Sequence, residues 1–194
     1  MTDDARRQIT QFYNAALDES AALLPALRAL APTVCEIARR FTSAWDRGNK
    51  IFFAGNGGSA ADAMHFSEEL VVRYARDRRP RASLALLDPT AVTCAGNDMG
   101  FDQIFSRQID ALGKPGDVFV GITTSGNSPN ILRALDSCKK AGIETIGFLG
   151  KDGGKAANLC DVALVVPSNN TARVQEAHKL IFHSLCDYID AWAS

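Results

Sequence analysis

The chain has 194 residues, 46% of them hydrophobic and 22% charged, enough for one globular domain with a sizeable core. A formal net charge of −1 leaves no electrostatic footprint for nucleic acid or an anionic membrane, so neither is expected as a partner. Five scattered cysteines without CxxC spacing argue against a disulfide framework or a cysteine zinc site, and for a reducing compartment.

The N-terminus, MTDDARRQITQF, is charged and lacks the apolar core of a signal peptide. No stretch approaches the ~20 apolar residues of a membrane span, so a cytoplasmic protein is expected. Residues 3–30 read as an amphipathic helix, with Ile9, Phe12, Tyr13, Ala16, Leu17 and Leu24 at i, i+3, i+4 spacing. Pro25 either kinks it or ends it. A second helix is expected from Thr33 to Asp46, with Val34, Ile37, Phe41 and Trp45 inward and Arg47-Gly48-Asn49 closing it. Residues 1–48 thus read as an N-terminal helical hairpin, more cover than a sheet needs. It either packs on its own domain or builds an oligomer interface.

From residue 50 the rhythm becomes strand, loop, helix. Short apolar strands are expected at 50–54, 82–87, 117–122, 144–149 and 162–166. Helices are expected at 59–75, 101–112, 129–141, 153–159 and 172–192. Near-continuous apolar strands alternating with helices indicate an α/β three-layer sandwich around a central five-stranded parallel sheet, flavodoxin-like in plan. No repeat or linker divides it, so residues 1–194 read as a single domain. Ligands in such folds bind at the carboxyl ends of the strands.

The loops at those ends carry the chemistry. Ile51-Phe52-Phe53-Ala54 feeds a turn with Gly55, Asn56, Gly57 and Gly58, and Ser59 stands where a helix N-cap belongs. This is either an ordinary strand–helix turn or a corner whose N–H groups face an anion. On the helix that follows, His65, Glu69 and Arg73 recur every four residues and share a face. They form either a solvated ion pair or the start of a metal or acid–base site. The basic residues from Arg73 to Arg81, interrupted by Asp77 and Pro80, read as a solvated loop.

Asn97 and Asp98 are either turn formers or groups that hold sugar hydroxyls. Thr123-Thr124-Ser125-Gly126-Asn127-Ser128-Pro129 offers four hydroxyls and a helix start, Ser128 at the N-cap and Pro129 at the first helical position. Without a lysine of the GxxxxGK[ST] kind, that loop suits a phosphate monoester better than a nucleotide triphosphate. Lys151-Asp152-Gly153-Gly154 reads as a plain turn. The last helix carries Gln175, Glu176, His178 and His183. His183 lies among Leu180, Ile181, Phe182, Leu185 and Cys186 and is expected to be buried, with His65 and Glu69 as partners. Imidazole beside carboxylate suits a metal site or an acid–base pair.

Taken together, GNGGSAADAMHFSEEL, GNDMGFDQIFSRQ, DVFVGITTSGNSPNI, GKDGGK and RVQEAHKLIFH resemble the phosphoheptose isomerases of the sugar isomerase (SIS) family, over roughly residues 5–190. The resemblance implies the SIS fold and a homotetramer with sites between subunits and the N-terminal helices in the interface. It implies conversion of sedoheptulose 7-phosphate to D-glycero-D-manno-heptose 7-phosphate, the first step of bacterial heptose biosynthesis for lipopolysaccharide. It implies one Zn2+ per subunit, held by His65, Glu69, Gln175 and His183. Thr123, Thr124, Ser125 and Ser128 would hold the phosphate. Asn56, Gly57, Gly58, Ser59, Arg73, Asn97, Asp98 and Gln175 would contact substrate. Glu69 is expected as general base and His183 as general acid of an enediol mechanism.

Two points stand apart from the pattern. Gln175 and His183 are eight residues apart, ~12 Å along an ideal helix, so they meet at one ion only by leaning together or if the helix starts irregularly near Gln175, or else they serve different subunits' sites. Ala172 stands where some relatives carry an acidic substrate contact. The competing reading is a non-catalytic SIS-fold regulator that binds a replication initiator. The combination of His65, Glu69 and His183 favours the enzyme.

Overall fold

The computed structural model describes residues 1–193. Its centre is a five-stranded parallel sheet in the order β2-β1-β3-β4-β5. The strands are β1 (Ile51–Gly55), β2 (Ser83–Ala85), β3 (Val118–Thr123), β4 (Glu144–Gly150) and β5 (Val162–Val166). The helices are α1 (Asp3–Ala29), α2 (Ala31–Asp46), α3 (Gly58–Val71), α4 (Pro89–Asp98), α5 (Ser106–Leu112), α6 (Pro129–Lys140) and α7 (Thr171–Trp192). Successive strand residues point to opposite faces. Ile51, Phe53, Val118, Val120, Ile122, Ile146 and Phe148 therefore join one core with α2, α3 and α7. Phe52, Ala54, Phe119 and Leu149 join a second core with α5 and α6. This is the expected three-layer α/β arrangement.

Several elements differ from their expected extents. Residues 89–98, expected as loop, form α4: Asp88 caps it by accepting from Ala91 N–H at 2.8 Å, and Pro89 opens it. The helix expected at 101–112 is divided into a 3-10 turn at Phe101–Gln103 and α5. That expected at 153–159 is a 3-10 turn over Lys155–Asn158. The edge strand β2 has three residues and pairs only with β1.

The N-terminal helices do not close on each other. Pro25 lies inside α1 without ending it, and α1 meets α2 at a 65° bend across Leu30, an open elbow. Ile37 and Phe41 of α2 are fully buried in the first core. By contrast, α1 buries no residue, and Ile9, Phe12, Tyr13 and Leu17 are all exposed. Packing on its own domain therefore does not account for the apolar stripe of α1. Among the described residues no single helix is long and apolar enough to cross a membrane.

The fully buried histidine is His178, not His183. It sits on α7 with Nε2 3.1 Å from the Leu149 carbonyl, its ring edge-on to Phe148. Nδ1 has no hydrogen-bond partner, and burial pushes the imidazole pKa down to about 4. The folded state thus keeps it neutral while the unfolded chain protonates it below about 6.5. The unfolded state binds the extra proton, so stability is present at neutral pH and is lost as pH falls from about 6.5 towards about 4. This residue alone is expected to cost about 3 kcal/mol across that window. Urea unfolding of wild type and His178→Gln at pH 7 and pH 4.5 checks it: the variant should lose less stability on acidification. Equal losses would show that His178 is not the group responsible.

Candidate active site

Helices α3 and α7 run side by side in the same direction, and their side chains meet in register. At the first turn of α3, Gly58 lies against the amide of Gln175, so closely that a Cβ would collide with it. One turn on, Asp62 meets Lys179 at 3.3 Å. Then Phe66 stacks on Phe182, centroids 3.8 Å apart and 10° from parallel. Finally, Glu69 meets His183 and Cys186. Partners rise together along both helices, which only parallel packing allows.

The far end of this seam holds a compact triad. Glu69 Oε1 lies 3.0 Å from His65 Nε2 and 3.6 Å from His183 Nε2. The two imidazoles stand edge to face at 5.4 Å, and Tyr74 stacks on His183 at 5.6 Å. The other oxygen, Glu69 Oε2, accepts the Cys186 S–H at 3.5 Å. Burial, reinforced by Glu69 beside it, holds that thiol well above its ordinary pKa, so it stays a donor. One donor atom from each of His65, Glu69 and His183 lies within 4.8 Å of the others. Two imidazole nitrogens and a carboxylate oxygen suit a catalytic divalent ion with an open position. His183 Nε2 is buried without a hydrogen-bond partner, as a nitrogen awaiting a ligand would be. The residues fit a metal.

The other end of the seam borders the hydroxyl loop. A Cβ on Gly150 would stand 2.6 Å from the Thr124 carbonyl and 2.8 Å from Val174, so that loop abuts α7 beside Gln175. Within it, Thr123 Oγ1 lies 2.9 Å from Ser128 Oγ and 3.4 Å from Ser125 Oγ. Ser128 occupies the N-cap of α6, but its hydroxyl turns to Thr123 and makes no capping bond. Gly126 has φ +64°, and a Cβ there would run into the Gly153 carbonyl. The Lys151–Gly154 segment, expected as a plain turn, therefore braces this loop. Asn56 and Asn130 exchange two amide hydrogen bonds, of 2.9 and 2.8 Å, tying the β1 turn to α6. The hydroxyls and the glycine turn open at the carboxyl edge of the sheet, while the triad lies towards the other edge, where Arg81, just ahead of β2, donates its N–H to the Leu70 carbonyl at 3.0 Å.

Comparison with known proteins gives this arrangement a family. Residues 17–150 match the family model for the SIS domain. A phosphoheptose isomerase of Trichlorobacter lovleyi is 50% identical over 162 residues, 83% of this chain and 83% of that one. Another, of Paramagnetospirillum magneticum, is 55% identical over 148 residues, 76% and 77% of the two chains. The solved phosphoheptose isomerase of Neisseria gonorrhoeae superposes with a TM-score of 0.89 at 39% identity, covering 94% of this chain and 99% of that one. The chain belongs to the phosphoheptose isomerase family. It is an isomerase, and the regulator reading is not favoured.

Within this phosphoheptose isomerase chain the expected site residues fall into separate groups. His65, Glu69 and His183 converge, with His183 half-buried, not buried. Gln175 stands at the opposite end, about two turns of α3 away from His65. Ser59 does not cap α3: Gly57 holds that position and Ser59 is buried inside the first turn. Arg73 leaves the helical stripe because α3 ends at Val71, so it lies exposed beyond the C-cap. Asn97 and Asp98 close α4, where Asn97 Nδ2 donates to Asp98 Oδ1 at 2.7 Å. Asp98 lines a cavity of about 510 Å³ with Leu84, Met99 and Arg107. Among the described residues no hydrogen bond or ion pair links Arg73, Asn97 or Asp98 to the triad.

Reasoning from the sequence missed Tyr74, Asn130, Cys186 and the Asp62–Lys179 pair. Asp62 stands three residues before His65, and Lys179 midway between Gln175 and His183, so helical spacing was a usable signal for both. Tyr74 and Asn130 lie where no periodicity applies. The basic loop was misread: Arg78 is buried, donating to Asp190 Oδ1 at 2.7 Å and to the Glu69 and Leu70 carbonyls at 2.7 and 3.0 Å.

Proposed function

We propose that this chain converts sedoheptulose 7-phosphate to D-glycero-D-manno-heptose 7-phosphate, the first step of bacterial heptose biosynthesis, in the cytoplasm and as a homotetramer. The observation that carries this reading is a seam with a His/Glu/His triad at one end and a hydroxyl loop at the other. The apolar face of α1, exposed along Ile9, Phe12, Tyr13 and Leu17, supports burial between subunits. The positions of Arg73, Asn97 and Asp98 support their reaching substrate across a subunit boundary.

Thr123, Thr124, Ser125 and Ser128 bind the phosphate as neutral donors at the α6 N-terminus, with Asn56, Gly57, Gly58 and Ser59 beside them. The reacting carbons then lie at Glu69. Glu69 removes the C1 proton as base and returns a proton to C2 on the same face. His183 donates Nε2–H to the carbonyl oxygen and recovers a proton from the C1 hydroxyl. His65, through Glu69 Oε1, fixes the carboxylate. A zinc ion held by His65, Glu69 and His183 would polarise the carbonyl oxygen and offset the charge that develops there. One nitrogen cannot hold both an ion and a proton, so with zinc bound His183 would serve as a ligand and the C1 hydroxyl proton would have to reach the carbonyl oxygen directly, while Glu69 would still carry both carbon transfers. Gln175, whose amide lies against Gly58, would contact substrate, or would help hold the zinc of a neighbouring subunit.

The test is turnover of sedoheptulose 7-phosphate by purified protein, chelator-stripped and then zinc-restored, with His65→Gln alongside. Activity is expected to fall on stripping and to return with about one zinc per chain, while the variant binds less zinc and recovers little. Activity indifferent to chelation and to His65→Gln would remove the metal from the reaction. A folded, inactive wild type would overturn the function.

A further inference from the structure

We infer that the cavity lined by Arg79 and Arg81, at the amino edge of the sheet, binds the oxyanion of a small metabolite, a phosphate monoester or a carboxylate. The inference stands apart from the function proposed above. The cavity has a volume of about 430 Å³ and lies where Gly48-Asn49 leads into β1 and Ala82 leads into β2. That volume suits a small-molecule ligand. All strands run parallel, so these strand starts stand at the edge opposite the hydroxyl loop. No residue of that loop or of the triad lines the cavity.

The cavity holds positive charge that the chain itself leaves unanswered. Arg78 is committed to Asp190, but among the described residues neither Arg79 nor Arg81 pairs with a carboxylate. Asp46 is the one acid in the lining and makes no ion pair with either. The Arg81 guanidinium is fixed in place. It lies over the Trp192 ring, 4.3 Å from the centroid, and 5.9 Å from that of Trp45. The two indoles stack at 6.2 Å, and Trp45 is itself held by donating its ring N–H to the Ala82 carbonyl at 3.0 Å. Stacking uses the face of a guanidinium and leaves the N–H donors along its edge, in a fork that matches a carboxylate or phosphate. One of them, Arg81 Nε, is buried without a hydrogen-bond partner, an arrangement that is costly until an acceptor arrives. Burial, with the Arg79 and Arg78 charges nearby, also pushes the Arg81 pKa down. A bound anion relieves that crowding.

Trp45 and Trp192 are the only two tryptophans of the chain and both stand at Arg81, so intrinsic fluorescence of the full-length protein reports this site. The experiment titrates inorganic phosphate and, separately, malonate at constant ionic strength into wild type, Arg79→Gln, Arg81→Gln, Asp46→Asn and Ser128→Ala. A saturable change is expected in wild type. Saturation by phosphate alone would assign a phosphate monoester, by malonate alone a carboxylate, and by both a site that reads only the oxyanion. Losing a charged hydrogen bond should weaken binding about tenfold or more in Arg79→Gln and in Arg81→Gln. Asp46→Asn, which removes the repelling carboxylate, should bind more tightly, and Ser128→Ala should match wild type. Arg79 is exposed and its side chain makes no bond among the described residues, so its variant keeps the fold and the tryptophan pair. Two results would overturn the inference: no saturable change with either anion, or equal affinity in Arg79→Gln and wild type. A response abolished by Ser128→Ala would also overturn it, since the anion would then sit on the hydroxyl loop.

Discussion

Replacing Glu69 with glutamine is expected to lower kcat for sedoheptulose 7-phosphate by about 10²–10⁴-fold, the range a general base contributes. Glutamine keeps the volume of this buried side chain and can still accept from His65 and Cys186. What it loses is the ability to take a proton from carbon. The melting temperature should therefore change little, and affinity for the substrate phosphate should persist because the hydroxyl loop is untouched. Zinc content must be measured in parallel, since an amide is a poorer ligand than a carboxylate. A variant that stays within tenfold of wild type would show that another group moves the proton.

The largest loss of stability is expected from Asp190→Ala. Arg78 and Asp190 are both buried and meet at 2.7 Å, with side chains 0% and 3% exposed. Burial alone would raise the Asp190 pKa, but Arg78 and the backbone N–H groups of Arg76 and Ala75 hold it below the usual carboxylate range. Its contribution is thus present at neutral pH and fades as pH falls below the carboxylate range. Alanine leaves the guanidinium buried and uncompensated, which costs about 3–5 kcal/mol. The loss reaches the site as well, because Arg78 holds the Glu69 and Leu70 carbonyls that end α3. Chemical denaturation measures the first effect. A stability loss below about 1 kcal/mol would mean that water replaces the carboxylate.

The difference between Arg78 and its neighbours shows where sequence reading stops. Arg76, Arg78 and Arg79 have the same charge in one polar stretch, and only the fold decides which of them turns inward. The sheet was readable because strand burial writes itself as apolar runs such as Ile51–Ala54 and Val118–Ile122. His65 and Glu69 were readable because one helix fixes their spacing. That His183 would join them was expected, and it does, but it is half-buried where burial was expected, and the fully buried histidine of α7 is His178. Both lie among apolar neighbours, and the choice depends on how α7 is rotated against β4. Helix α4 was missed although Asp88-Pro89 is a good opening, because a ten-residue helix ending in Gly96-Asn97-Asp98 also reads as a turn. The meeting of Gly58 with Gln175, and of Asp62 with Lys179, spans more than a hundred residues and leaves no local trace.

The shared direction of α3 and α7 gives the seam an electrical polarity. A helix carries roughly half a positive charge at its start and half a negative charge at its end, felt within the terminal turn. The Gly58 end of α3 and the Pro129 end of α6 therefore both offer positive potential where the hydroxyl loop opens. Glu69 lies in the last turn of α3, whose negative end already draws a cation, the Arg78 guanidinium on the Glu69 and Leu70 carbonyls. In the proposed binding mode, a phosphorylated sugar entering the seam backwards would bring its dianion to the carbonyl end and its neutral carbonyl to the amide end. The backbone alone, before any side chain is counted, thus disfavours the reversed orientation.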